Sequence, residues 1–491
     1  MASLRPLTES KTQVKNFVQP LLVHEGYTNI NTTGFAWPTS VQIPEMFRIS
    51  SKLQWIGRHL SYIIDEKSIH SVVCAISGGV DSAVSAYLLK KKGFQVKGVF
   101  MTNWDSLDEK TDCSVNQDRY DAKYVCEYLG IPFFERNFVK EYWNYVFLPL
   151  IKAYEQGATP NPDILCNRFV KFNMLTRAVL KHYGSDDDDD QLSSNLKADA
   201  IATGHYCRNS FGAYLQYRKE NAEAKLLRSV DPVKDQTFWL STISHKELQH
   251  CMFPVGELSK PQVKQIAQDI GLTRILSRRE SMGMCFIGKR RFSHFIDNYL
   301  EPKYGVFKDL ETDVIVGEHT GIHHFTLGQR APIKRFTGPY YVARMDYRNQ
   351  VIYVARDASH PSLFMRKCWC GPAVWINSEP FSCINSKIIH FQWQNKWRPI
   401  NCILTPFNDI PTAADYIKKN IQRGNNRKVG PCLSIELEEP LRCISPGQWC
   451  ALYDGDICLG AAMICGSISL WEEGQNAFYK WNNSDYELTY S

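Results

Sequence analysis

Six consecutive residues, Ser77-Gly78-Gly79-Val80-Asp81-Ser82, constrain this chain more than any other feature. They follow the apolar run Val72-Val73-Cys74-Ala75-Ile76 and precede the helix-like stretch Ala83 to Lys91. Strand, glycine turn and helix in that order build an anion cradle. The glycines let the backbone approach an oxyanion with no Cβ in the way, and Ser77 and Ser82 carry hydroxyl donors. The first unpaired N–H groups of the following helix point at the same spot. An ordinary glycine-rich turn is the plainer alternative for any Gly-Gly pair, but a six-residue string of this order behind a buried strand favours the cradle. The lysine of the G-x-x-x-x-G-K-[ST] loop is absent, so the loop does not suit chemistry at the terminal phosphate of a nucleotide.

The string resembles the pyrophosphate loop of the ATP pyrophosphatase superfamily, whose members cut between the α and β phosphates and leave AMP on the substrate. The chain downstream alternates as a parallel sheet requires. Phe94 to Met101 reads as a strand, Asn116 to Leu129 as a helix and Pro132 to Asn137 as a strand. A helix over Phe169 to Tyr183 and the strand Ala200-Ile201-Ala202, running into Thr203-Gly204-His205, follow. The fold class is therefore α/β, a doubly wound parallel-sheet domain with ligands at the carboxyl ends of the strands. Met101 and Gly204 end their strands on that rim.

With 491 residues the chain should hold about three domains. The catalytic domain is expected over 68–300. Beyond it, short strands, glycine turns and aromatics such as Tyr340-Tyr341-Val342-Ala343-Arg344 predict a small β-rich domain at 301–370, and others such as Cys458-Leu459-Gly460-Ala461-Ala462 lie in the segment that follows it. A C-terminal β-barrel at 371–470 and a tail at 471–491 complete the chain. The aspartates Asp186 to Asp190 open what reads as a disordered surface insertion over 186–196. They remove five charges from a net balance of +6, so the rest of the chain carries +11, which suits a polyanionic partner as well as it suits a solvated basic surface.

Residues 1–67 read as an N-terminal extension. Within it, Met46 to Ile64 carries Arg48, Lys52 and Arg58 without an acid, and Phe47, Ile49, Leu53, Ile56 and Leu60 recur at helical spacing. That is a basic amphipathic helix of transit-peptide type, with a helix packed on the domain edge as the alternative. No apolar run is long enough to predict a membrane span.

The 16 cysteines are scattered without a disulfide framework, and no C-x-x-C occurs, which argues against a zinc ribbon or a cysteine-held iron–sulfur cluster. Most should be small buried apolar groups. Two stand apart. Cys166 sits in Asn161-Pro162-Asp163-Ile164-Leu165-Cys166, where a helix is expected to begin just after it, near Arg168 and Lys171. A helix start and positive charges favour a thiolate, and Asp163 is placed to exchange a proton in the same cleft. Cys285 lies in Gly283-Met284-Cys285-Phe286-Ile287-Gly288, ahead of Lys289, Arg290 and Arg291. Local sequence leaves a structural role for either thiol open.

Together these strings resemble the tRNA-specific 2-thiouridylases, most closely their mitochondrial members. The likeness runs from about residue 70 to 466. It includes S-G-G-V-D-S at 77, N-P-D-I-L-C-N at 161, A-T-G-H-Y at 202, K-D-Q at 234, G-M-C-F-I-G at 283 and T-L-G-Q-R at 326. The resemblance implies that Ala75, Ile76, Ser77, Gly78, Gly79, Val80, Asp81 and Ser82 bind the phosphates of ATP, with Met101 and Gly204 around the adenosine. It implies that Asn161, Pro162 and Asp163 contact the target base, that Lys234, Asp235 and Gln236 touch the tRNA, and that the partner is the anticodon arm of tRNA. Cys285 would carry a persulfide loaded by a cysteine desulfurase or relay protein, and Cys166 would be the thiol that attacks it or closes a disulfide with it. Magnesium is expected with the ATP, held by phosphates and water, and the matrix of the mitochondrion is the implied location, the cytoplasm the alternative.

The chain departs from the family at Ser281-Met282-Gly283, where Met replaces the commoner Thr, and at Lys387 to Gln392, where the family's arginine-rich tRNA contact should fall. Two other readings stay open. Another pyrophosphate-loop, AMP-forming ligase would share the loop but not the cysteine pair, and a non-catalytic tRNA-binding protein would keep the fold without the reaction.

Overall fold

The computed structural model describes residues 69–104, 114–180, 195–219, 221–278, 292–334, 338–380, 388–407 and 431–489. The extension 1–67, the Asp186 to Asp190 run and Cys285 lie outside these residues. Leu196 is described and fully buried, so the expected insertion is shorter than 186–196.

The first sheet is built on β1 (Ser71–Ala75), whose S-V-V-C-A run is apolar on both faces because both are covered. It pairs in parallel with β2 (Gln95–Thr102) and β4 (Ala200–Ala202), Val72 standing opposite both Val96 and Ala200. Outside these lie β3 (Phe133–Asn137) and β7 (Cys251–Met252), giving the parallel order β3-β2-β1-β4-β7. The α1 helix (Val80–Lys91) is small and apolar where it meets the sheet, burying Ala83, Val84, Ala86 and Leu89. With α2 (Ser114–Leu129) it makes the expected α/β layers, and the carboxyl ends of β1, β2 and β4 share one rim.

A four-stranded sheet, β10-β11-β8-β9, follows. It comprises β8 (Gly305–Asp309), β9 (Ile315–His319), β10 (Tyr341–Asp346) and β11 (Val351–Ala355), packed on Phe307, Val342, Ile352 and Val354. The last sheet closes on itself. Six of its nine strands form the ring, β12 (Phe364–Cys370), β16 (Cys432–Arg442), β15 (Ile400–Phe407), β14 (Ile389–Gln392), β17 (Trp449–Asp454) and β18 (Ile457–Ser469), with β12 pairing back to β18 and the short β13 (Val374–Trp375) also pairing with β18. Closure removes the sheet edges. Because β12 belongs to this ring, the boundary expected at 371 falls one strand late. The tail packs on the barrel, Trp481 meeting Trp397 edge-on with ring centroids 6.1 Å apart and the Tyr486 hydroxyl donating to Glu439 at 2.7 Å.

The barrel also reaches into the first domain. The β18 strand pairs with β6 (Leu226–Arg228), which pairs with β5 (Cys207–Asn209), so the segment between β4 and β7 is shared between two sheets. No described helix is long and apolar enough to cross a membrane. All thirteen described cysteines are buried, as small apolar groups should be.

Candidate active site

The glycine loop has the geometry an anion needs. Gly78 adopts φ +81, and a Cβ there would lie 2.5 Å from the carbonyl oxygen of Asp118, so only glycine fits. Ser82 is buried behind the loop, its hydroxyl donating to the Gly79 carbonyl at 3.0 Å and accepting from Ser77 N at 3.2 Å. Gly79 donates its N–H to the Ser77 hydroxyl at 3.4 Å, and no side chain caps α1, which leaves the first N–H groups of the helix without a side-chain cap. The A-T-G-H-Y rim lies hard against this start: a Cβ on Gly204 would fall 2.6 Å from Ser82 N and 2.7 Å from the Asp81 carbonyl carbon. Met101, half-buried near the end of β2, stands on the same rim. Ala75 and Ile76 lead into the loop and Val80 anchors α1 in the core.

Asp81 brings a negative charge beside a site for anions, and the structure neutralises it. Lys260, at the first position of α4 (Lys260–Asp269), places Nζ 2.8 Å from both Asp81 carboxylate oxygens, while the Tyr206 hydroxyl donates to Oδ1 at 2.8 Å. The Lys260 side chain is only 6% exposed and that of Asp81 30%. Sequence reasoning missed both partners. The Ser259-Lys260-Pro261-Gln262 start of α4, with the Gln262 side chain accepting from Ser259 N at 2.8 Å, signals a helix N-terminus but not where its lysine points.

Across the rim, Asn161 caps the short helix α3 (Pro162–Leu165), its Oδ1 accepting from Asp163 N at 3.2 Å with Pro162 in the first turn. Helical structure runs on through a π-helical stretch, Cys166–Met174, to Val179. The run therefore begins four residues before Cys166 rather than after it and ends before Tyr183. Its first-turn dipole acts on Asp163, and the buried Cys166 thiol sits one turn further in. Widened π turns favour such functional positions. Burial raises the Asp163 carboxyl above its ordinary range, with Lys171 opposing the shift. Lys171 also acts on His205, which burial first and this lysine second push down to about 3, so the imidazole is neutral. His205 Nδ1 lies 2.8 Å from the Thr203 hydroxyl. Asp163, Lys171 and His205 thus share one electrostatic neighbourhood, and Gly204 joins it to the loop.

The K-D-Q segment is turned largely inward. Asp235 is 3% exposed. It accepts from Arg228 at 2.9 Å, Ser229 N at 2.9 Å and the Thr237 hydroxyl at 2.7 Å, while burial raises its carboxyl against these partners. Arg228 lies over the Tyr453 ring and donates to Gln392, joining the segment to the barrel. Gln236 braces Tyr206, accepting from its N–H at 2.9 Å and donating its own N–H to its carbonyl at 2.8 Å. Lys234 is half-buried. Gln392, in the stretch that departs from the family pattern, is buried and donates to three backbone carbonyls.

Cys285 lies outside the described residues, and its flanks are described. Arg278 pairs with Asp118 at 2.9 Å and with Asp121, and the Asp118 carbonyl is the group that excludes a side chain from Gly78. On the far side the Phe292 ring is 5.0 Å from Tyr154.

Comparisons with known proteins agree with this architecture. Residues 70–289 match the family model described as tRNA methyl transferase HUP domain, 293–356 the tRNA methyl transferase PRC-barrel domain, and 427–464 the aminomethyltransferase beta-barrel domain. The mitochondrial tRNA-specific 2-thiouridylase 1 of Drosophila melanogaster is 42% identical over 399 residues, covering 81% of this chain and 94% of that protein. The chain belongs to the tRNA-specific 2-thiouridylase family. The Homo sapiens mitochondrial tRNA-specific 2-thiouridylase 1 is 39% identical, with 81% and 91% covered. The tRNA-specific 2-thiouridylase MnmA 1 of Geobacillus kaustophilus is 36% identical, with 80% and 95% covered. The family thus accounts for the order of a nucleotide-binding domain, a small β domain and a barrel in this chain.

Proposed function

We propose that this chain is an ATP-dependent tRNA 2-thiouridylase of the mitochondrion, acting in the matrix, that replaces the 2-carbonyl oxygen of a wobble uridine by sulfur from a persulfide on Cys285. One observation carries the reading. Asp163, in the segment that bears Cys166, shares Lys171 with His205, and Gly204 beside it touches the start of α1. The segment expected to meet the base and the loop expected to meet ATP are therefore parts of one rim.

The uracil 2-carbonyl oxygen is a poor leaving group, so it attacks the α-phosphate of ATP and pyrophosphate departs. Loop N–H groups and the start of α1 stabilise the charge that builds on that pyrophosphate, preorganised electrostatics of a kind that supplies several kcal/mol. Lys260 keeps Asp81 from opposing the anion. The terminal sulfur of the Cys285 persulfide then adds at C2 and AMP leaves with the oxygen. The Cys166 thiolate attacks Cys285 Sγ, the S–S bond breaks with its electron pair moving to the transferred sulfur, and a Cys166–Cys285 disulfide remains for an external thiol reductant. Burial, which raises the Asp163 carboxyl above its ordinary range, suits it to exchange protons with the base. Magnesium would ride on the phosphates of ATP.

The test is transfer of ³⁵S from a labelled persulfide donor to an unmodified tRNA transcript. Label in the tRNA that depends on ATP and on Cys285 is expected. An amide-forming ligase gives no label, and a pure tRNA binder gives no ATP–pyrophosphate exchange either; both results would overturn the reading.

A further inference from the structure

The helix α5 (Phe292–Ile296) and the turn after β9 bring three metal-ligating side chains together from two domains. Asp297 follows α5 directly, and His323 and His324 are consecutive on the 3₁₀ turn Ile322–His324. Both imidazoles present Nε2 to the same atom, Asp297 Oδ1, at 3.1 Å from His323 and 2.6 Å from His324. The three donor atoms lie within 4.8 Å of one another.

Neighbouring side chains on a three-residue turn diverge by about 120°, so two consecutive histidines do not meet on one oxygen by default. Here the rings close to 4.2 Å between centroids. Gly321 permits it: a Cβ there would sit 2.3 Å from His323 Cε1, so the ring folds back over bare backbone. One imidazole satisfies a carboxylate oxygen; a second aimed at the same oxygen gives the convergence of donors that a cation needs. Side-chain exposure rises from 5% at His323 to 18% at His324 and 39% at Asp297, which leaves one side open to water ligands.

We propose that Asp297, His323 and His324 form a binding site for a divalent transition ion of the Zn²⁺ class, with two nitrogens and one oxygen from the protein and water in the remaining positions. Imidazole with carboxylate suits Zn²⁺, Co²⁺ and Ni²⁺, whereas Mg²⁺ prefers oxygen and water, so this site is separate from the ion that accompanies ATP. Its place in the fold gives the ion a bracing role. Ile322 lies 3.9 Å from where a Cβ on Gly157 would stand, and the Thr159 hydroxyl bonds Thr326 at 3.4 Å. The turn that carries the ligands therefore supports the approach to Asn161.

Chelator-stripped full-length protein titrated with Co²⁺ tests the proposal. Wild type should bind one Co²⁺ with the weak visible bands of nitrogen and oxygen ligands and without the strong near-ultraviolet band of a cobalt thiolate. H324Q and D297N should each weaken that binding at least ten-fold or so, since even outer partners of a metal ligand matter that much, while H294Q on the exposed face of α5 should not. Co²⁺ should raise the melting temperature of wild type and leave the folded H324Q and D297N proteins unmoved. A purely thiolate spectrum, no stoichiometric binding, or equal affinity in wild type and H324Q would overturn it.

Discussion

Replacing Gly204 by alanine puts the nucleotide loop under a defined load. The added Cβ would lie 2.6 Å from Ser82 N and 2.7 Å from the Asp81 carbonyl carbon, both backbone atoms of the first turn of α1. An ordinary carbon contact begins near 3.4 Å, so β4's rim and the start of α1 must part by several tenths of an ångström. Overpacking of this kind costs about 1–3 kcal/mol of stability. The displaced atoms include the N–H groups that should face the departing pyrophosphate, and a misplacement approaching 1 Å lowers turnover by roughly a hundred-fold, about 2.7 kcal/mol of barrier. tRNA-dependent ATP–pyrophosphate exchange reads the catalytic effect and thermal unfolding the stability. Gly93→Ala is the control: at φ +92 with no atom within 4 Å of its Cβ, it carries backbone strain of about 1–2 kcal/mol with no route to the loop. Unchanged exchange in Gly204→Ala, or an equal loss in Gly93→Ala, would refute the reasoning.

Four further outcomes are expected. Lys260→Met should raise the KM for ATP and lower stability by about 2 kcal/mol, less than the 3–5 of a fully enclosed pair because Asp81 is partly exposed; an unchanged KM would remove Lys260 from the loop's electrostatics. Arg228→Ala should destabilise by about 3–5 kcal/mol through the buried Asp235 carboxylate, seen as a lower denaturant midpoint, with residual ATP chemistry in the folded fraction. Asp163→Asn should abolish thiolation yet stabilise the fold at neutral pH. The Asp163 carboxyl is raised in the native state, so its contribution is present below the ordinary carboxylate value and lost as pH climbs through the native one. Asparagine removes that loss, and equal melting temperatures at pH 5 and pH 8 relative to wild type would contradict it. Cys285→Ser should end sulfur transfer while ATP and tRNA binding stay near normal, and retained thiolation would dismiss the persulfide.

The core of the first domain was legible because β1 is buried on both faces and shows it as an unbroken apolar run, and because a glycine loop has few uses between a strand and a helix. Closed β structure was legible from strand spacing, but the partner of β12 was not: its pairing with β18 joins residues far apart in sequence, and nothing in F-M-R-K-C-W-C says which neighbour it prefers. The early helix start at Pro162 was readable from Asn161 and Pro162, a cap and a first-turn proline, and the dipole belongs to Asp163 as a result. Lys260 was not readable, since its bond to Asp81 spans 179 positions and depends on where α4 docks. Asp235 likewise reads as a surface charge until the barrel delivers Tyr453 and Gln392 to its arginine.

The central claim is that activation by AMP and sulfur transfer are one coupled reaction. Single-turnover mixing of the full chain, preloaded with persulfide, with ATP and unmodified tRNA, followed by mass spectrometry of nucleosides and protein, measures it directly. One AMP and one Cys166–Cys285 disulfide for each 2-thiouridine are predicted; 2-thiouridine formed without AMP, or AMP formed with both cysteines still reduced and the base unchanged, would contradict the account.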